Sequence, residues 1–289
     1  MAEPLLSNAL ELDAYGWRLA LRPDLGGCVA GLWFKGEAVL RSTEPHALAG
    51  PRQSACFPLL PYSNRVADRR FSWCGQSYQL QPNFPDSPHA LHGVGWRSAW
   101  HVEASANDQA KMTLAHTADG DWPFDLRAEQ SLTLRPDGLH ITLRVTNTDT
   151  RGQPMGLGWH PYFPRRPDSR LRLQVGQRWL NDARHLPCQA VPQGLIDAVV
   201  NTLDLDNAFD DWSGQAWIDG ARHALQLRSS CGHVVVFTPP GRDFFCIEPV
   251  SHVNNAVNAA DPLARGLVAL APGAGMSHTF SITLSNPPP

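Results

Sequence analysis

Between Leu126 and Val145 apolar residues fall on every second position, at Leu132 and Leu134 and then at Leu139, Ile141, Leu143 and Val145, with Pro136-Asp137-Gly138 between the two runs. A period of two lines one face of a strand, whereas a helix needs a period near 3.6, so this segment reads as a hairpin with one face turned to a core. Pro presets φ for the first turn position and Gly takes a positive φ without steric cost. Similar pairs are drawn at 16–34, at 70–80 around Cys74-Gly75, and at 224–237 around Cys231-Gly232. Helical stripes are scarce, and strand patterning persists from end to end. The expectation is an all-β chain, a large antiparallel β-sandwich or barrel. With 25 Pro and 23 Gly, its long connections are expected at 48–70, 81–98, 161–170 and 181–215. Nothing resembles a linker or a repeat, so one domain over 1–286 is expected, with 287–289 as a tail.

A chain of 289 residues with 43% hydrophobic and 18% charged residues can bury a substantial core. Its formal charge of −3, with the arginines dispersed, offers no basic surface for nucleic acid. The first residues lack a basic region followed by an apolar core, and no stretch reaches the length of a membrane span, so no membrane partner is expected. Six cysteines stand far apart without a Cys-x-x-Cys pair, as reduced thiols in a cytoplasmic protein would. No fingerprint of a cofactor is present, and none is expected.

Four places set polar groups among apolar or turn-forming neighbours. Glu248 follows Phe244-Phe245-Cys246-Ile247, where lost hydration would raise its pKa and make it a base near neutral pH. A buried carboxylate paired with an arginine for structural reasons fits the same residues. His160, in Gly158-Trp159-His160-Pro161-Tyr162-Phe163, has an imidazole suited to proton transfer, or to a backbone hydrogen bond at a strand end. His92 lies in His89-Ala90-Leu91-His92-Gly93, whose glycine permits close approach to a ligand or simply makes a turn. The spacing of His89 and His92 invites a metal, but no further ligand motif accompanies it, and no metal site is assigned. Asn64-Arg65 could fork onto hydroxyls or a carboxylate, Asp206 could accept from hydroxyls, and Trp159, Trp96 or Trp73 could stack on a sugar face. Each of these equally suits an ordinary surface or core residue.

Taken in order, Asn64-Arg65, Leu91-His92-Gly93, Gly158 to Phe163, Leu205-Asp206-Asn207-Ala208-Phe209 and Ile247-Glu248-Pro249 resemble the aldose 1-epimerase (galactose mutarotase) family. The similarity runs to Leu270-Ala271-Pro272-Gly273, which looks like that family's closing turn before its last strand. The resemblance implies a supersandwich of large curved sheets with a site in a cleft on one of them. It implies Glu248 as general base, His160 as general acid, His92 as a second histidine near the ring oxygen, and Arg65 and Asp206 as holders of sugar hydroxyls. The implied activity is exchange of α and β anomers of a small aldose. The context of Trp159 and the Asn-rich stretch after Glu248 look more like the broader bacterial group than the galactose enzymes.

Three other readings stand beside it. A hexose-6-phosphate 1-epimerase would add arginines for the phosphate, with Arg69-Arg70 and Arg165-Arg166 as candidates. A non-catalytic sugar-binding protein could use the same fold. A glycosidase would pair Glu248 with Asp206 or Asp210.

Overall fold

The computed structural model describes residues 9–85, 87–220 and 223–285, so the expected tail at 287–289 and the first eight residues lie outside it. The Pro136-Asp137-Gly138 turn joins strands Leu126–Arg135 and Gly138–Asn147, in register from Arg135↔Gly138 to Leu126↔Asn147. Leu132, Leu134, Leu139, Ile141, Leu143 and Val145 are all buried, so the period-two pattern marks the core face. Gly138 sits where a Cβ would come within 2.1 Å of the Ile282 carbonyl oxygen, on the neighbouring strand Gly275–Ser285. The expected hairpins Trp17–Arg22 with Cys28–Phe34, and Arg70–Trp73 with Gln76–Gln79, also form. The turn at Gly273 does precede the last strand.

A 15-stranded antiparallel sheet carries most of the strand residues, and a four-stranded sheet begins the described chain. Leu12, Leu19 and Leu32 of the smaller sheet share one apolar cluster with Leu132, Leu143 and Phe280 of the larger one. The architecture is therefore that of large antiparallel sheets closed over a common core, as expected. No helix among the described residues is long and apolar enough to cross a membrane.

Two local expectations fail. Strands Ala224–Ser229 and His233–Phe237 do not pair with each other. The first lies between Gln215–Asp219 and Gly275–Ser285, and the second between Asp206–Asp210 and Phe244–Val250. The segment 181–215 is not a loop either, because Pro187–Val199 pairs along its length with Arg170–Asn181. Among the described residues that strand has this one partner only, and proline is tolerated on such an edge because no ladder hydrogen bond is lost.

Two sides of one sheet region position the site. In Phe244–Val250, Phe245 and Ile247 face the main core, whereas Cys246 and Val250 face a second apolar cluster with Phe57, Leu59, Tyr162, Ala208 and Val235. Successive side chains point to opposite faces, so Glu248 stands on the side of Cys246 and Val250. The connections expected at 48–70 and 81–98 carry only very short strands and contribute residues to a cleft shared with Glu248.

Candidate active site

The pairing of the central strand brings the acid/base candidates together. Gly158 pairs with Val250 and Tyr162 with Cys246, and the same register places His160 across from Glu248. His160 Nε2 lies 3.4 Å from Glu248 Oε1. The histidine is held from below, where its backbone N–H donates to the Phe57 carbonyl at 3.0 Å. Its ring stacks on Tyr162 at 4.5 Å between centroids and lies 4.7 Å from Phe57. Glu248 Oε2 and His160 Nδ1 have no hydrogen-bond partner. Buried polar atoms are normally satisfied, so these two atoms are open to a further polar partner.

Burial sets the protonation of this pair. It pushes the Glu248 carboxyl well above the usual carboxylate range, helped by nearby Asp206 and opposed by Arg65. It pushes the His160 imidazole well below its ordinary value, with His92 and Arg41 adding repulsion. Both shifts favour the neutral forms, so burial works against an ion pair between the two side chains.

His92 and Asn64 interlock at the ends of the two-residue ladder Arg65–Val66 with Ala90–Leu91. The His92 N–H donates to the Asn64 carbonyl at 2.9 Å, and the Asn64 N–H donates to His92 Nδ1 at 3.2 Å. Both residues have positive φ, 57° at Asn64 and 63° at His92, and Gly93 follows where a Cβ would meet the Leu60 oxygen at 2.1 Å. Since Nδ1 accepts, the proton of the neutral ring is on Nε2. Burial and the charges of Arg65 and Arg52 push the His92 pKa down to about 3. His92 is thus a hydrogen-bond donor and not a source of protons at neutral pH, with its ring centroid 5.3 Å from that of His160.

Asn64 also aims Arg65, because its Oδ1 accepts from the Arg65 backbone N–H at 3.0 Å and from Nη1 at 3.1 Å. Arg65 Nη2 lies 3.8 Å from Asp206 Oδ2. Asp206 starts strand Asp206–Asp210 and is not on a loop. The Asn-rich stretch after Glu248 fixes this wall: His252 Nε2 accepts from the Ser63 N–H at 3.0 Å, and Asn255 Oδ1 accepts from the Ala67 N–H at 3.0 Å.

Glu248, His160, His92, Asn64, Arg65 and Asp206 thus line one cleft of about 680 Å³, within the range of small-molecule sites. Trp159 does not join them. It is fully buried in the main core, 5.6 Å from Phe280, because the residue next to His160 in an extended chain points to the opposite face. Trp96 is the tryptophan that lines the cleft, beside Phe57 and Phe84. Arg69-Arg70 and Arg165-Arg166 lie outside it, and Arg41, Arg52 and Arg242 line it instead. Asp210 lies outside too, accepting from Trp179 Nε1 at 2.8 Å. Arg41, Arg242 and Phe57 sit in irregular segments and Arg52 in the short turn Pro51–Gln53, and no motif in the sequence singles them out.

His89 is no ligand, because Nδ1 accepts from the Asp68 N–H at 3.0 Å and Nε2 lies 3.2 Å from the Arg184 carbonyl. Donor atoms of His160, Glu248 and Cys246 lie within 4.8 Å of one another. Burial pushes both the Cys246 thiol and the Glu248 carboxyl up, which works against the deprotonated ligands that a cation needs.

A family model described as aldose 1-epimerase matches residues 10–283. The chain is 33% identical over 276 residues to the Escherichia coli protein YphB, described as uncharacterized, covering 90% of this chain and 93% of that one. It is 30% identical, with a TM-score of 0.88, to a crystal structure of an Escherichia coli protein described as a candidate aldose 1-epimerase, covering 96% and 99% of the two chains. A galactose mutarotase-like protein from Clostridium acetobutylicum has the same fold at 20% identity, with a TM-score of 0.86 and coverage of 99% and 97%.

Proposed function

This chain belongs to the aldose 1-epimerase family, and from that premise we propose that it is an isomerase exchanging the α and β anomers of a small aldose. The observation that carries the reading is the His160–Glu248 contact of 3.4 Å at the floor of a sugar-sized cleft, with an unpartnered polar atom on each side chain.

Anomer exchange removes the proton from the anomeric hydroxyl, places one on the ring oxygen, and breaks the C1–O5 bond to give the open aldehyde. Rotation about C1–C2 presents the other carbonyl face, and the same groups close the ring in reverse. In this assignment Glu248 is the base and His160 the acid. Burial favours a protonated carboxyl and a neutral imidazole, so these roles require substrate binding to favour an ionised Glu248 and a protonated His160. The charge of Arg65 favours that ionised form. His92, with its proton on Nε2, donates a hydrogen bond to the ring oxygen and holds it toward His160. Arg65 and Asp206 hold hydroxyls so that the open chain does not escape. Acid and base catalysis of this kind contributes about 10²- to 10⁴-fold. The residues from 10 to 283 act as one domain in this proposal, and six unpaired cysteines agree with a cytoplasmic setting.

Saturation-transfer NMR between the two anomeric protons of an aldose tests the reading. The expected result is exchange faster than in buffer and proportional to protein concentration. Sugar binding without acceleration would make the protein a sugar-binding relative on this fold.

A further inference from the structure

Four guanidinium groups reach the cleft, and two of them are already engaged. Arg41 Nη2 donates to the Arg52 and Ser54 carbonyls at 2.9 and 2.7 Å while its guanidinium lies 3.8 Å from the centre of the Tyr162 ring. Arg65 is held by Asn64 and faces Asp206. Arg52 and Arg242 are exposed side chains of the cleft wall, and among the described residues neither has a carboxylate partner. The Arg52 guanidinium lies over the Phe84 ring, 4.2 Å from its centre, which orients it and supplies no neutralising anion. The negative groups of the cleft do not balance these charges. Two carboxylates, Glu248 and Asp206, face four guanidinium groups, and Asp206 is beside Arg65. The cleft therefore presents an excess of positive charge, and Arg52 is close enough to repel a proton from His92.

Resting on the epimerase reading, we infer that the aldose taken by this cleft carries an acidic substituent, a carboxylate or a phosphate, bound by Arg52 and Arg242. A guanidinium matches the geometry of either oxyanion with two parallel N–H donors, which a neutral hydroxymethyl group cannot exploit. The anion also compensates a charge that a neutral sugar would leave unmatched.

The test compares anomer exchange for glucose, glucuronate and glucose 6-phosphate with the full chain, and repeats it for R52Q and R242Q. The acidic sugar is expected to have a kcat/KM about tenfold or more above that of glucose. That advantage should shrink at about 0.5 M salt, where exposed charges are screened. Each variant should reduce exchange of the acidic sugar about tenfold more than that of glucose. Acceleration of the uronate alone or the phosphate ester alone identifies the group bound. Glucose turned over as well as both acids, or variants that lower all three equally, overturns the inference and leaves the epimerase reading standing. No acceleration of any of the three overturns both.

Discussion

Glu248→Gln separates the roles of one side chain in stability and in catalysis. The carboxyl is 2% exposed, and its pKa in the folded state is raised well above the ordinary value of 4.5 by burial and by Asp206. The unfolded chain releases this proton above pH 4.5 while the folded protein keeps it. The group's contribution to stability is therefore full below the unfolded value and is lost as pH rises through the window up to the folded value. The loss is about 1.4 kcal/mol per pH unit across that window. Gln has nearly the same shape and does not titrate. As pH rises above the unfolded value the variant should gain stability relative to the parent at about that slope until the folded carboxyl ionises, measured by urea unfolding, because the other titrating groups are shared and largely cancel. Anomer exchange by the same preparations should fall by about 10²- to 10⁴-fold. A stability difference that stays flat with pH would show that the carboxyl is ionised in the folded protein. Exchange within about tenfold of the parent would remove Glu248 from the mechanism.

His160→Asn should lower kcat by about 10²-fold or more with a much smaller change in KM, since the loss falls on proton transfer; steady-state kinetics showing an unchanged kcat would assign the acid elsewhere. Asn64→Ala removes the acceptor for the Arg65 backbone and guanidinium, and should raise KM for the sugar with a stability loss of about 1–3 kcal/mol; an unchanged KM would contradict the aiming role. Trp159→Ala should cost about 3–5 kcal/mol in unfolding experiments, whereas Trp96→Ala should mainly weaken sugar binding; the reverse outcome would place Trp159 in the cleft.

Local signals served where partners were close in sequence. Pro136-Asp137-Gly138 with its flanking alternation predicts the hairpin down to its core-facing residues. Cys231-Gly232 carries a turn signal of the same kind, yet the strands on either side find partners elsewhere, because pairing is decided by long-range packing. Pro187, Pro192 and Gly194 read as loop, and an edge position overrides them. At the site, the family resemblance brings Glu248, His160, His92, Asn64, Arg65 and Asp206 together, and each lines the cleft. Of the two readings open for Trp159 the structure has the core one, because adjacency to His160 in an extended chain means opposite faces. Arg52 and Arg242 lie outside regular strands, and no spacing rule announces which arginines a fold will turn toward one cleft.

Saturation-transfer NMR on the α and β anomeric protons of neutral and acidic aldoses, with the protein titrated in, bears most directly on the central claim. The account predicts an exchange rate that rises in proportion to protein for at least one sugar and returns to the buffer rate with Glu248→Gln. Exchange that stays at the buffer rate for every sugar, or that Glu248→Gln leaves as fast as before, would contradict it.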